Sequence, residues 1–311
     1  MKVGIIGAGN VGAATAFALV LRGVAREVVL LDINQAKAFS EALDISHATT
    51  FSYASKVYAG DYQDLKSSDI VIIAAGANQR VGETRVALMA RNVAILRQIV
   101  DSILKYAPKA FILVASNPVD MMTDSVIKLS GLPKNQVFGS GTILDTSRFR
   151  TLIGEYLGVS SKSVHANVLG EHGDSEVLAW SNADIGTLGV EDFAHSVGKQ
   201  ITPEIKANID DRVRNAAYRI IEGKGATYYG IAGALTRICQ AVATNENAVL
   251  TVCSLQSSVE GVKDVCLSLP SIINKNGVDS VLMPKLCNAE HELLYQSAAK
   301  IKDYTRQIDI I

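Results

Sequence analysis

Short apolar runs alternate with longer amphipathic stretches through the first half of the chain. Runs at 3–6, 28–31, 57–59, 70–74, 111–114 and 137–138 read as strands. Each is almost continuously hydrophobic, as expected of a parallel sheet covered on both faces. Between them, helical spacing marks 10–22, 35–48, 84–106 and 119–129. That βαβ rhythm predicts a doubly wound parallel sheet. After about residue 143 the rhythm changes. A helix over 144–157 leads to a strand over 164–169, then helices over 203–222 and 226–243. Strands at 249–253 and 264–269 and a terminal helix over 288–306 complete an α+β half. The division is into 1–143 and 144–311, a dinucleotide-binding half and a substrate-binding half, as the length of 311 residues leads one to expect.

Composition narrows the function classes. Thirty Lys and Arg against 31 Asp and Glu give a net charge of −1, with no dense basic run, so a nucleic-acid partner is not expected. Cys239, Cys253, Cys266 and Cys287 are scattered, without a Cys-x-x-Cys, and read as buried free thiols rather than disulfides or a metal site. The apolar run from Ala13 to Leu21 stops at Arg22, too short to span a bilayer. The chain opens directly into its first strand, so a cytoplasmic protein is the expectation.

Gly7-Ala8-Gly9-Asn10-Val11-Gly12 is G-x-G-x-x-G, a weak signal alone. Here it follows a strand and opens a helix, and Asp32 ends the next strand 20 residues beyond Gly12. In that setting the glycines admit a pyrophosphate to the backbone and a helix N-terminus. Asp32 then accepts from the adenosine ribose hydroxyls and repels a 2′-phosphate, which selects NAD over NADP. Gly76, after the fourth strand, and Ser116 and Asn117, after the fifth, lie on the ligand-binding edge of such a sheet.

The chemistry concentrates in Gly170-Glu171-His172-Gly173-Asp174, with Asp145 and Arg148 in Asp-Thr-Ser-Arg and Arg85 in Gly-Glu-Thr-Arg. An imidazole gives and takes protons near neutral pH. Two arginines meet the other needs of a 2-keto acid, a carboxylate to clamp and a carbonyl to polarise. Each residue also has a plain reading: an i,i+3 ion pair for Asp145 and Arg148, a solvated charge for Arg85, a structural histidine for His172. Their joint occurrence favours hydride transfer between a nicotinamide and a 2-hydroxy acid.

Nearly end to end, the chain resembles the NAD-dependent L-lactate dehydrogenases of the lactate/malate dehydrogenase family. The motifs are those above together with 75–85, 116–120, 139–148, 168–175 and 224–230. The resemblance implies a Rossmann sheet, a homotetramer, His172 as acid/base oriented by Asp145, Arg148 on the substrate carboxylate and Arg85 on the carbonyl. It implies Gln79, Asn117, Asp120 and Thr227 around pyruvate or L-lactate. Around NAD it implies Gly7, Gly9, Asn10, Val11, Gly12, Asp32, Lys37, Tyr62, Gly76, Ala77, Ala115, Ser116, Asn117, Ser140 and Ile231. It also implies a cis Asn117–Pro118 bond.

Gln79 separates lactate from malate, because the malate pattern has an arginine there to pair a second carboxylate. Arg80 and Val81 depart from the usual lysine and proline. Arg150 and His165 match the pair that binds fructose 1,6-bisphosphate across a subunit interface in bacterial relatives, although Asn167 stands where an aromatic residue is usual. The rivals are a malate dehydrogenase, an NAD-dependent glycosidase and a non-catalytic dinucleotide sensor. The glycosidase fails because every cysteine lies beyond residue 238. A sensor has no reason to keep His172, Asp145, Arg85 and Arg148 together.

Overall fold

The apolar runs form the middle of one sheet. The computed structural model describes residues 1–77 and 85–307, the side chains of Arg85 and Val86 excepted. Its first half runs β1 (Lys2–Ile6), α1 (Asn10–Leu21), β2 (Glu27–Leu31), α2 (Gln35–Ala48), β3 (Lys56–Ala59), β4 (Ile70–Ile73), α3 (Arg85–Tyr106), β5 (Phe111–Val114), α4 (Val119–Ser130) and β6 (Val137–Gly139). These six strands pair in parallel in the order β6-β5-β4-β1-β2-β3. The chain therefore winds outward from β1 in one direction, returns at β4, and winds the other way. The crevice at the carboxyl ends of β1 and β4 is the switch point of such a sheet. All four residues of β4 are buried, since α1, α2 and the helix Tyr229–Ala243 cover one face of the sheet and α3 and α4 the other.

The second half runs α5 (Ile143–Leu157), β7 (Val164–His165), β8 (Val168–Leu169), β9 (Val177–Leu178), β10 (Asp184–Ile185), β11 (Leu188–Gly189) and α6 (Val190–Ser196). Then come α7 (Pro203–Arg214), α8 (Ala216–Lys224), α9 (Tyr229–Ala243), β12 (Ala248–Val259), β13 (Val262–Asn274), β14 (Gly277–Val281) and α10 (Asn288–Arg306).

Several details differ from the pattern reading. The strand expected over 164–169 breaks at Ala166, so that β7 pairs with β10 and β8 with β9. The helix expected over 203–222 divides at Asn215. Of the four thiols, Cys287 is exposed, while Cys239, Cys253 and Cys266 are buried and free as expected. The larger difference is that β12, β13 and β14 join the parallel sheet edge to edge, through Cys253 opposite Gly139, to make nine strands. β12 and β13 also extend well beyond the expected spans, because Glu260 and Gly261 both take positive φ. That two-residue turn matches the twist of a long hairpin.

Two smaller clusters complete the interior. Phe149 of α5 meets Trp180 edge to face at 4.8 Å between centroids. Leu294, Ala298 and Ile301 of α10 pack beneath β8, β9 and β13. Among the described residues no helix is long and apolar enough to cross a membrane.

Candidate active site

The glycine loop is shaped by what would collide with a side chain. Gly7 has φ +105°, and a Cβ there would lie 2.7 Å from the Ala75 amide nitrogen. A Cβ on Gly12 would run into the Gly7 carbonyl oxygen. Both glycines let β1, α1 and the strand beside them close together. Gly9 is different: nothing lies within 4 Å of a Cβ there. Its bare backbone faces open space before α1, where the first N–H groups of the helix lack intrahelical partners. A dinucleotide pyrophosphate fits such a cradle.

Asp32 closes the loop from β2. Its Oδ2 accepts the Ala8 N–H and its Oδ1 the Asn34 N–H, each at 2.8 Å. Each carboxylate oxygen has a second lone pair, so the side chain keeps capacity for two ribose hydroxyls. Asn10 and Val11 open α1, and Lys37 lies in the first turn of α2, where its N–H caps on Asn34 Oδ1. Tyr62 is half-buried, and burial raises its hydroxyl pKa. Ala77 N–H donates to Asn92 Oδ1 at 2.8 Å, fixing the segment after β4 that includes Gly76. Across the crevice, Ser116 is buried, and its hydroxyl donates to the carbonyls of Ile73 and Ala75, beside Ala115 and the exposed Asn117. The Asn117–Pro118 bond is cis, as expected. Ser140 N–H is tied to the Val114 carbonyl at the same sheet edge. Ile231 packs partly into the core at the start of α9, and Thr227 lies in the loop before it.

The second half brings the chemistry to this edge. Asp145 and Arg148 lie one turn apart on α5, and Arg148 Nη1 donates to Asp145 Oδ1 at 2.7 Å. The other carboxylate oxygen, Oδ2, lies 2.6 Å from His172 Nδ1. Asp145 is 2% exposed and His172 is 29% exposed at their side chains, so the carboxylate stands behind the ring and the ring reaches the surface of the crevice. Burial opposes charge on the imidazole. The Asp145 carboxylate, its hydrogen bond and the nearby Asp120 and Glu176 outweigh that, and the pKa rises to about 9. Burial is the largest single influence here, and only the Asp145 charge, its hydrogen bond and the two further carboxylates acting together outweigh it. For Asp145, burial is likewise the largest single influence and acts upward, yet His172 and Arg148 together bring its pKa below the usual value.

Asp120, implied by the resemblance as a substrate contact, is buried in α4, and its Oδ2 accepts the His172 backbone N–H at 2.7 Å. Burial raises its pKa to about 6, against the pull of that hydrogen bond. Two acids near the histidine escaped the sequence reading. Glu176 is buried, with a carboxyl oxygen within 4.8 Å of a His172 ring nitrogen and an Asp145 carboxyl oxygen, and burial raises its pKa to about 8. Glu171 is buried beneath the same loop. Glu171 stands inside the histidine motif without a role assigned to it, and Glu176 lies just beyond that motif; the three-dimensional crowding identifies both.

Gln79, Arg80 and Val81 lie outside the described residues, as does the side chain of Arg85, which opens α3. Arg150 is half-buried on α5. Its Nε donates to the Ala166 carbonyl at 2.8 Å and its Nη2 to Asn167 Oδ1 at 3.3 Å. His165 is exposed in β7. Asn167 is thus a partner of Arg150.

Family models place this geometry. Residues 1–139 match the lactate/malate dehydrogenase NAD binding domain, and 142–309 match the lactate/malate dehydrogenase alpha/beta C-terminal domain. The chain belongs to the lactate/malate dehydrogenase family. Among its relatives, an L-lactate dehydrogenase of Thermus aquaticus is 53% identical over 97% of both chains. One of Allorhizobium ampelinum is 52% identical over 97% of this chain and 98% of its own. Among solved structures, a lactate dehydrogenase from a Medee basin deep-sea metagenome superposes with a TM-score of 0.96 at 42% identity, covering 98% of each chain. The minor L-lactate dehydrogenase of Enterococcus mundtii gives 0.96 at 39%, covering 100% of this chain and 99% of its own. The chain is accordingly an NAD-dependent oxidoreductase, and the Gly9 cradle with Asp32 fits its cofactor.

Proposed function

We propose that this enzyme reduces pyruvate reversibly to L-lactate with NADH, residues 1–143 holding the cofactor and 144–311 the keto acid. The observation that carries the reading is the shared Asp145 carboxylate, with the imidazole on one oxygen and a guanidinium on the other.

The chain's own residues divide the work. Arg148 presents its remaining N–H donors to the substrate carboxylate, a match of planar fork to planar anion. Asn117 and Thr227 line the same pocket. Asp145 takes the His172 Nδ1–H, which leaves Nε2 toward the substrate. With its pKa near 9 the ring is an imidazolium at neutral pH and holds the proton that the product alcohol needs. NADH, when bound, supplies a hydride with its electron pair to the keto carbon. His172 then passes its Nε2 proton to the carbonyl oxygen and becomes neutral, and the reverse steps oxidise lactate. Arg85 polarises the carbonyl of the keto acid. Gln79, being neutral, leaves the pocket suited to a methyl rather than a second carboxylate.

The active form is a cytoplasmic homotetramer in this reading. Phe39 and Leu43 on α2, with Phe51 and Tyr53 just after it, are exposed, Phe51 by 90%, as suits a surface that a second copy covers. Arg150 and His165 form the cationic pair for fructose 1,6-bisphosphate.

The test is product analysis with a variant. Pyruvate and NADH give L-lactate and NAD in equal amounts, and His172→Asn binds NADH normally while losing roughly 10²–10⁴-fold in turnover. Full turnover by His172→Asn would refute the assignment.

A further inference from the structure

The loop that carries His172 is fastened from below by the terminal helix. Glu171 immediately precedes the histidine and is 5% exposed at its side chain. Its Oε2 accepts from Lys300 Nζ of α10 at 2.8 Å. The same oxygen takes both the N–H and the hydroxyl of Ser175 from the far end of the loop. In addition, the Glu171 N–H donates to Ser297 Oγ, one helical turn before Lys300, at 2.8 Å. Gly170, at φ +83°, passes so close to Ser297 that a Cβ there would strike its hydroxyl. The helix itself is fixed by its apolar face, with Leu294, Ala298 and Ile301 fully buried, and by Glu290 Oε1 accepting the Ser181 N–H at 2.9 Å.

We propose that Lys300 and Glu171 are positioning residues for proton transfer: the half-buried Lys300, paired with the buried Glu171 carboxylate, locks both ends of the 171–175 loop to α10 and so sets where the His172 imidazole stands. The proposal rests on His172 being the proton donor. Its physical basis is that a carboxylate withdrawn from water must keep its partners. Take away the cation, and the anion seeks water or a proton, which pulls the loop off the helix. The 2.6 Å contact to Asp145 is a short one, and it has little tolerance for such a shift.

Single-turnover NADH oxidation with saturating pyruvate tests this, together with NADH affinity by fluorescence. Lys300→Met is expected to slow hydride transfer by about tenfold or more, since small misplacements of a catalytic group have such effects. The primary isotope effect with NADH deuterated at C4 should rise or persist, and NADH affinity should stay within about twofold, because the glycine loop is remote in the fold. Lys300→Arg should restore most of the rate. Pairing Lys300→Met with Glu171→Gln should harm less than the sum of the single changes, as expected of partners in contact. If Lys300→Met does not fold, Ser297→Ala removes only one acceptor and should still slow transfer about threefold or more.

A rate within twofold of the parent for both Lys300→Met and Ser297→Ala would overturn the proposal. So would an equal loss of rate and NADH affinity that Lys300→Arg does not mend, the signature of general destabilisation. Should His172→Asn itself retain full turnover, the fault lies instead with the assignment of the proton donor.

Discussion

His172 Nδ1 and Asp145 Oδ2 are 2.6 Å apart, and the other oxygen of that carboxylate is held by Arg148 at 2.7 Å. One buried anion thereby fixes both the proposed proton donor and the cation proposed to hold substrate. The arrangement depends on α5, which puts Asp145 and Arg148 one turn apart, and on the loop after β8, which brings His172 over them.

A pH profile follows from the raised imidazole pKa. The group is charged below about 9 and neutral above. Reduction needs the charged form, so kcat/KM for pyruvate should be level through neutral pH and fall as pH rises through about 9. Lactate oxidation needs the neutral form and should climb over the same interval. Steady-state rates across pH 6–10 check this, and a reduction limb falling near 6.5, the free-histidine value, would contradict it.

Asp145→Asn should remove the charge that holds the imidazolium and present an amide to Nδ1. The expected loss in kcat/KM for pyruvate is roughly 10²–10⁴-fold, with the alkaline limb moved toward lower pH. Binding of NADH, measured by fluorescence, should be little changed.

Gly12 and Gly9 of the cofactor loop should separate packing from ligand approach. Gly12→Ala drives a methyl into the Gly7 carbonyl and should lower the melting temperature as well as NADH affinity. Gly9→Ala meets no protein atom within 4 Å, so its melting temperature should hold while NADH affinity drops, since the methyl intrudes only on the ligand's space. Equal effects of the two on the apoprotein would contradict the cradle.

How far the sequence reveals this fold is set by the range of the forces involved. β2 and β4 are legible because burial on both faces leaves a continuous apolar run, and Gly7 to Asp32 because turn, helix and ribose acceptor are spaced along one βαβ unit. The joining of β12 to β6 is not legible, because Cys253 opposite Gly139 is a pairing between segments more than a hundred residues apart. Nor is the break at Ala166 visible in an apolar run that simply changes partner. His172, Asp145 and Arg148 stood out because their residue types suit one reaction. Glu171 and Glu176 did not, since an acid next to a histidine motif reads as solvent-facing until α10 and α5 are packed around it.

The Arg150 reading gives a regulatory test. Fructose 1,6-bisphosphate should lower KM for pyruvate in the parent and have no effect on Arg150→Gln. The guanidinium already gives Nε to Ala166 and Nη2 to Asn167, so the sugar bisphosphate must compete with or share those donors. Asn167→Ala should accordingly sharpen the response by freeing one of them. An unchanged KM and oligomer size in the parent enzyme would return Arg150 and His165 to a structural role.

The most direct measurement is NADH oxidation at 340 nm with pyruvate and with oxaloacetate under the same conditions. A neutral residue at 79 and a carboxylate-paired imidazolium lead to kcat/KM for pyruvate exceeding that for oxaloacetate by at least about a hundredfold, the worth of one unpaired charge in a closed site. Preference for oxaloacetate would contradict the account and make the chain a malate dehydrogenase, with Arg80 rather than Gln79 selecting the substrate.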